Sequence, residues 1–509
     1  MKFIKPIAIL IFFIFLPHNF LYSQSVKIQV GSKKFTESVI LGEIIKHLVM
    51  DTGASVTHRQ ELGGTRILWN ALLRGSIDIY PEYTGTISQE ILAGKELKNE
   101  EEIRLALIEQ GIRMSKSLGF NNTYALGMKE QIASERNIQK ISDLKNHLDL
   151  KFGFTNEFMD REDGWPSLQL RYQLQHQDVR GLDHDLAYRA LDSESIHVTD
   201  LYSTDADIKY YNLRILQDDL HLFPIYNAVL LYHDDLSEKA PEVIDAILKL
   251  EGKISEPEMV RMNAKAKLER IAEQQIAVDF LKKTYGLQID TQIQTRWDQF
   301  WQNTKSHILL VLLALTVAIL ISIPLGIYSA RHRKLGQFIL GNVGIIQTIP
   351  ALALLVFMIP ILAAIRKDLG IGAAPTIAAS VLYGLLPIVR NTYTGLKDIP
   401  LHINESAIAL GLPSRSRLWL VELHMASRAI LAGVKTSAVM IVGFVTLGAL
   451  IGAPGYGQPI LTGIRLADTG LILQGALPAA ILSLIVQGLF ELAERWLVPK
   501  GLRIESTVK

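Results

Sequence analysis

The stretch Ile308-Leu-Leu-Val-Leu-Leu-Ala-Leu-Thr-Val-Ala-Ile-Leu-Ile-Ser-Ile-Pro-Leu-Gly-Ile327 decides how this chain is built. It carries no charge, and at about 1.5 Å rise per residue it is long enough to cross a bilayer core of roughly 30 Å. Before Ser306 the sequence is dense in Lys, Asp and Glu and reads as a water-soluble α/β protein. From His307 to Trp496 long uncharged stretches dominate. One chain thus joins a solute-sized soluble module to a polytopic membrane module. Few functions need both, and transport across a membrane leads among them.

Outward from that first span the uncharged stretches recur. Leu335 to Ile365 is long for one straight helix and is interrupted by Pro350 and Pro360. It reads as one broken span with a segment packed inside protein. Gly370 to Val389, about Ala429 to Ile451, and Thr469 to Phe490 bring the number to about five. Basic residues set the orientation. With the soluble half outside, the cluster Arg331 to Lys334 falls inside, as do Lys397, Arg415, Arg417 and Arg428 and the tail residues Lys500 and Arg503. Outer loops hold only Arg366, Lys367 and Arg465. Trp297, Phe300 and Trp301 precede the first span. They suit either the headgroup interface or a last helix of the soluble half, and Trp297 and Trp301 share a helix face.

At the N-terminus, Lys2 and Lys5 precede the apolar run Ile7 to Leu16, with Pro17 and then Ser23-Gln24-Ser25. That order is a secretory signal, cleaved near Ser23 or kept as an anchor, and either form exports the soluble half. The chain has no cysteine and a net charge of +1. Disulfides, Cys metal sites and an N-terminal Cys lipid anchor are excluded, and nothing in the charge points to nucleic acid.

In the soluble half, strand patterns at Val26 to Val30, Ser55 to Arg59 and Ile77 to Tyr80 alternate with helical patterns at Val39 to Met50 and Arg66 to Arg74. The alternation predicts a parallel sheet with crossover helices. Further strands are expected at Lys151 to Phe154, Ile196 to Thr199, Asn212 to Leu216 and Ala228 to Tyr232, then a long amphipathic run from Glu256 to Thr284. The length favours two α/β lobes with a small-molecule cleft between them. Glycine loops that enter helices leave backbone N–H groups free for an anion such as a carboxylate. Tyr80, Tyr83, Tyr124, Tyr202 and Tyr226 stand at loop-like positions. Each reads as an ordinary half-buried tyrosine or as one wall of an aromatic box, whose ring faces attract a quaternary ammonium.

The segments Gly31-Ser-Lys-Lys-Phe-Thr-Glu37, Leu62-Gly-Gly-Thr65, Asp78-Ile-Tyr-Pro-Glu-Tyr-Thr-Gly-Thr86, Glu157-Phe158 with Arg161 and Asp163-Gly164, and Tyr202-Ser-Thr-Asp205 occur in this order. They resemble the substrate-binding proteins of osmoprotectant ABC importers, which take up glycine betaine, choline, carnitine and related compounds. The resemblance implies a two-lobed, hinge-closing domain with box tyrosines Tyr83, Tyr124, Tyr202 and Tyr226. It implies further ligand contacts at Thr86, a position that varies with ligand choice, at Thr65, and at Lys33, where relatives often place a polar amide. Farther on, Glu405-Ser-Ala-Ile-Ala-Leu-Gly411 and Val421-Glu-Leu-His424 resemble the Glu-Ala-Ala loop of ABC-importer permeases. Ser406 replaces an Ala and His424 a Pro. Gln347-Thr-Ile-Pro350 and Leu386-Pro-Ile-Val-Arg-Asn-Thr-Tyr-Thr-Gly395 resemble the osmoprotectant permease. The implied role of Glu405, Ala407 and Gly411 is coupling to an ATPase. This chain lacks a Gly-x-x-x-x-Gly-Lys-Ser/Thr phosphate loop.

The expected organisation is a signal or anchor (1–24), a binding-protein-like α/β domain of two lobes (25–287), a linker or interfacial helix (288–306), an all-α permease domain (307–498) and a cytoplasmic tail (499–509). The expected function is ATP-driven uptake of a glycine betaine-like quaternary ammonium solute across a bacterial plasma membrane. Choline, carnitine and ergothioneine are alternatives. The chain itself is no enzyme and holds no cofactor or metal; ATP and Mg belong to a separate ATPase subunit. Expected partners are that ATPase, membrane lipids and a second copy of the chain, without nucleic acid. A ligand-sensing receptor is the alternative of another class, disfavoured because a receptor needs one span and an output domain. A gradient-driven carrier would call for inverted repeats and intramembrane acidic residues. A hydrolase would need a nucleophile or metal spacing around His58, His184, His197 or His221.

Overall fold

The computed structural model describes residues 26–95, 97, 99–289, 296–366, 369–466 and 468–498. The expected signal or anchor, Lys367 and the tail with Lys500 and Arg503 lie outside these residues.

The soluble half forms two five-stranded sheets. In lobe 1, β1 (Lys27–Gly31), β2 (Ser55–Arg59), β3 (Ile79–Tyr83), β4 (Ile112–Met114) and β10 (Ala228–His233) lie in the order β2-β1-β3-β10-β4. In lobe 2, β5 (Tyr124–Lys129), β6 (Phe152–Thr155), β7 (Val179–Leu182), β8 (Val198–Tyr202) and β9 (Leu213–Leu216) lie in the order β7-β6-β8-β5-β9. The sheets are mixed rather than purely parallel. β1 pairs parallel with β2 and β3, whereas β10 is antiparallel to β3 and β4. In lobe 2, β5 is antiparallel to β8 and β9.

The two reversed strands share a physical cause. Each is the first strand after the chain crosses between lobes. It therefore enters its sheet at the cleft and runs away from it, while β1, β3 and β8 run toward it. The crossings lie side by side, bridged at Asn121 and Asn227. The expected run Glu256 to Thr284 is two helices, Glu256–Lys267 and Glu273–Tyr285, separated by a turn in which Arg270 has φ 56°. The Thr36–Asp51 helix packs its apolar side against β1 and the Glu273–Tyr285 helix; Val39 through Ile45 are buried throughout.

In the membrane half, Trp297–Arg331, Ala373–Lys397, Ser414–Ile451 and Thr469–Trp496 are long and apolar enough to cross a bilayer. Arg333–Thr348 and Ala351–Ile365 form a pair bent by 103° at Ile349-Pro350. Its start lies beside Arg331, which pairs with Glu422 of the 398–422 loop at 3.0 Å. Its far end, at Pro360 and Ala363, lines a cavity with Ile67 and Asn70 of lobe 1. The bent pair thus runs from one end of the bundle to the other, as a broken span does. Three helices make the bundle centre, and small residues let their backbones approach. Gly433 lies against Pro387 and Asn391, and Ser437 Oγ donates to the Gly384 carbonyl at 2.6 Å. The first span extends back to Arg296, so Trp297, Phe300 and Trp301 belong to its first turns, with Trp297 and Trp301 exposed.

Lobe 1 is docked on the membrane half. Arg465, which closes the Gly457–Arg465 helix, pairs through Nε with Glu61 and through Nη1 with Glu273, both at 2.6 Å. Nη1 also donates to Thr36 Oγ1 at 3.1 Å. All three charged groups are close to fully buried. Ile371 packs in the same apolar cluster as Leu72 and Ile77.

Candidate functional site

Three loops at the cleft edge of lobe 1 build one wall. After β1, Ser32 N–H donates to Arg59 O, and Leu62 N–H returns a bond to Ser32 O, which zips two loops together. Lys34 N–H donates to Gly63 O at 3.2 Å. Gly63 has φ 118°, a conformation open to glycine and costly for other residues. Gly64 then caps the Thr65–Leu73 helix, and Thr65 opens it. After β3, Gly85 lies against the Tyr226 ring with no room for a side chain.

Of the four box tyrosines only Tyr226 lies on a loop as expected; the others are strand residues. Tyr83 ends β3, Tyr124 begins β5 and Tyr202 ends β8; Tyr226 lies two residues before β10. All four sit where a strand meets the cleft. Tyr80 points to the other side of its sheet, into the cluster around Trp69 and Leu72. Ring centroids are 5.2 Å apart for Tyr124 and Tyr202, and 5.7 Å for Tyr124 and Tyr226. Phe35 bridges the lobes, 6.2 Å from Tyr83 and 5.4 Å from Tyr202.

One cavity of ≈ 20 Å³ between the lobes is lined by Tyr83, Tyr124, Tyr202, Tyr226, Thr86, Lys33 and Thr65. All seven residues expected as ligand contacts therefore meet in one place. Four other residues share the lining: Phe35, Asn122, Glu157 and Arg161. Their signal was present in sequence. Phe35 follows Lys33 by two, Asn122 precedes Tyr124 by two, and Glu157 and Arg161 stand in a family-like segment.

The two cations of the box are matched. Lys33 Nζ pairs with the buried Glu82 carboxylate at 2.5 Å and lies 5.6 Å from the Tyr83 centroid. Burial pushes the Glu82 carboxyl up from its ordinary value, against the pull of Lys33. Arg161 reaches Asp163 with Nε at 2.7 Å and Glu90 of lobe 1 with Nη1 at 2.8 Å. Its guanidinium carbon is 5.4 Å from the Tyr124 centroid. Beneath the box Glu37 accepts from Tyr83 Oη (2.6 Å), Asn122 Nδ2 (2.9 Å), Thr204 Oγ1 (2.6 Å) and Asn263 Nδ2 (3.0 Å). Desolvation still raises its pKa. Thr204 belongs to lobe 2, so this carboxylate ties the lobes together. Behind Tyr202, His184 Nε2 faces Asp205 at 3.1 Å. Burial lowers the His184 pKa, but the Asp205 charge outweighs it and lifts the value to about 9.

Aromatic ring faces set among paired charges suit the binding of a cation. Among the described residues no group of His, Cys, Asp and Glu could hold a metal ion.

The 398–422 loop is the second candidate site. Ala407 is buried in the Leu401–Ala409 helix, and Glu405 is exposed. Gly411 has φ 75°, and its N–H closes the helix on Ile408 O at 2.8 Å. Leu401, Ile408 and Leu410 are exposed around it. Glu422 holds Arg331 at 3.0 Å and Arg417 at 2.9 Å. No break occurs at His424. A wide turn at Leu418–Glu422 continues into the Leu423–Leu447 helix, and His424 Nδ1 donates to Trp419 O at 3.0 Å.

Two family models match the chain. Residues 26–283 match the substrate binding domain of ABC-type glycine betaine transport systems. Residues 322–500 match the binding-protein-dependent transport system inner membrane component. The membrane half is similar to the choline transport system permease protein OpuBB of Bacillus subtilis. Identity is 37% over 211 residues, 42% of this chain and 94% of that protein. The carnitine transport binding protein OpuCC of Listeria monocytogenes is 34% identical over 266 residues, 50% of this chain and 86% of that protein. The ergothioneine transport permease/ergothioneine binding protein EgtU of Helicobacter pylori is 31% identical over 264 residues, 50% of this chain and 47% of that protein. The first of the two models alone covers just over half of the sequence, and the chain belongs to the osmoprotectant-type ABC importers, with substrate-binding and permease domains fused in one polypeptide.

Proposed function

We propose that this chain captures a glycine betaine-like quaternary ammonium solute outside the membrane and passes it through its own permease domain. Choline, carnitine and ergothioneine fit the same head-group chemistry, and relatives named for each are similar to it. ATP hydrolysis belongs to the separate cytoplasmic ATPase subunit of this importer family, and the membrane half is multi-pass with an extracytoplasmic binding domain.

The observation that carries the reading is the convergence of Tyr83, Tyr124, Tyr202 and Tyr226 on one cavity between two lobes. A trimethylammonium group cannot donate hydrogen bonds, so ring faces are its natural partners, each contact contributing about 0.5–2 kcal/mol when desolvated. Thr65, Thr86 and Lys33 complete the proposed ligand set. Residues 25–287 are the proposed binding domain and 307–498 the permease, joined through 288–306. Two copies would enclose the pathway, since one set of spans has a largely exposed last helix with only 6% of its apolar window buried. Glu405, Ala407 and Gly411 would meet the ATPase, the exposed Ile408 and Leu410 supplying apolar contact.

Calorimetric titration of the detergent-solubilised chain with glycine betaine, choline, carnitine and ergothioneine tests the reading. Saturable binding of at least one is expected. A chain that binds none of them, while binding a ligand without a quaternary nitrogen, would refute it.

A further inference from the structure

The box contains one charge that the protein does not match. Lys33 has Glu82, and Arg161 has Asp163 and Glu90. Glu157 lines the same cavity from the turn after β6. Among the described residues its carboxylate has no hydrogen-bond or ion-pair partner. It approaches lobe 1 at Gly64, where any side chain would collide with its Oε1. Closure of the lobes therefore sets this carboxylate at the wall of the box.

Two further polar atoms of the lining are orphaned. Thr65 Oγ1 and Asn122 Oδ1 are buried without a hydrogen-bond partner. Thr65 is 2% exposed and Asn122 is 5% exposed. The Asn122 amide cannot be flipped to hide its oxygen, because its Nδ2 must donate to Glu37. The unmet needs are thus carboxylate and amide oxygens that accept, beside one hydroxyl that does either. Native proteins satisfy nearly all buried groups such as those of Thr65 and Asn122. Beyond the box, a cavity of ≈ 460 Å³ shares Thr65, Glu157 and Arg161 with it. A ligand longer than its ammonium head would pass between these three residues.

We infer that Glu157 is a specificity-determining residue, and that the ligand is a quaternary ammonium compound whose substituent carries an O–H or ring N–H donor directed at Glu157. This rests on the reading of the tyrosine box as a quaternary ammonium site. It separates members of that class. Glycine betaine has no donor, choline has one hydroxyl, and a betaine with an imidazole-type ring has an N–H. Glu157 is half-buried, and a ligand that covers its carboxylate without offering a donor binds more weakly than one that does, because the acceptor then loses water without return.

Matched ligand pairs provide the test, titrated into the full chain in detergent. One pair is choline and its O-methyl ether; the other is a betaine with a ring N–H and its ring N-methylated form. Each pair keeps the cation and removes only the donor. In at least one pair the donor form is expected to bind about tenfold tighter or more. Glu157→Met should bring that ratio close to one. Glu157→Gln, which keeps an acceptor and its shape, should leave an intermediate ratio and guards against loss of the folded site. If both pairs bind with ratios near one in the unaltered chain, Glu157 is only a counter-charge to the ammonium and the inference fails. A ratio that persists in both Glu157 variants overturns it equally. If no quaternary compound binds at all, the box reading itself has failed, a result distinguishable from loss of the ratio alone.

Discussion

The two lobes of the binding domain have the same sheet plan but are held in different ways. Lobe 1 rests on the membrane half through the buried Arg465, Glu61 and Glu273 group. Among the described residues, no hydrogen bond or ion pair joins residues 124–216 of lobe 2 to the membrane half. That lobe is held by two crossing segments and by bonds across the cleft, such as Thr204 to Glu37 and Arg161 to Glu90. Among the described residues polar contacts thus tie lobe 1 to the membrane half, while lobe 2 is held through lobe 1 and through Lys267, which pairs with Asp185 and Asp207. The Glu61-Leu62-Gly63-Gly64-Thr65 loop shows what this arrangement does. Its first residue binds Arg465, and its last lines the cavity between the lobes. A ligand that draws lobe 2 onto this loop acts on a segment already in contact with the permease.

The sharpest way to break this contrast is Arg465→Ala. It leaves Glu61 and Glu273 buried without their cation, a loss of about 3–5 kcal/mol. Uptake in proteoliposomes with the ATPase is expected to fall by more than tenfold, while ligand affinity of the chain changes less than about threefold. Equal loss of both would mean that lobe 1 needs the membrane half to form its site. Tyr124→Ala acts on lobe 2 and should do the reverse. Tyr124 touches Tyr202, Tyr226 and Phe158. Affinity is expected to drop about tenfold to a hundredfold from lost ring contacts and packing, with docking unchanged by cross-linking between the 61–65 loop and residue 465. Undiminished affinity would remove this ring from the ligand site.

Alkaline pH should loosen lobe 2 selectively. The folded-state pKa of His184 is about 9, against an ordinary 6.5. The charges facing it are Asp205, Asp185, Lys267 and, on β8, Asp200. Because the folded value is raised, the stabilisation is complete below about pH 6.5 and is lost as pH rises through 9, on the order of 3 kcal/mol. Hydrogen exchange in residues 184–205 should therefore speed up between pH 7 and 9.5, after correction for the intrinsic rate, and His184→Gln should flatten that response. A pH-independent corrected rate in the unaltered chain would show that His184 does not titrate in this range, against the expectation. The smallest effect is expected at the exposed Lys34–Asp183 pair across the cleft, 3.1 Å apart. Such pairs contribute about 1 kcal/mol or less, so Lys34→Ala should change affinity by less than about fivefold.

Much of this was legible in the chain itself. The apolar run from Ile308 and the broken stretch around Pro350 gave the membrane half, because bilayer thickness imposes length on every span. The seven expected ligand residues meet in one cavity because ordered motifs carry the loops that a fold places at its cleft. The reversal of β5 and β10 was not legible. Strand periodicity reports which face is buried, not the direction in which the chain enters a sheet. The pairings Lys33–Glu82 and Arg465–Glu61 were equally hidden, since partners 49 and 404 residues apart leave no local pattern. Glu157 was visible within its motif, but its lack of a partner emerges only when its neighbours are placed.

Two aromatic walls of the box already have a cation beside them, Lys33 at Tyr83 and Arg161 at Tyr124. Binding there is an exchange rather than an addition. An incoming ammonium must dislodge a resident side chain or share a ring with it, and it gains only the difference between the two contacts. Small hydrated metal ions, which bring no hydrocarbon surface and must shed tightly held water, have little to offer in such a trade. A methylated nitrogen brings both charge and apolar surface. At such a site the resident cations would act as a threshold that common salt does not cross.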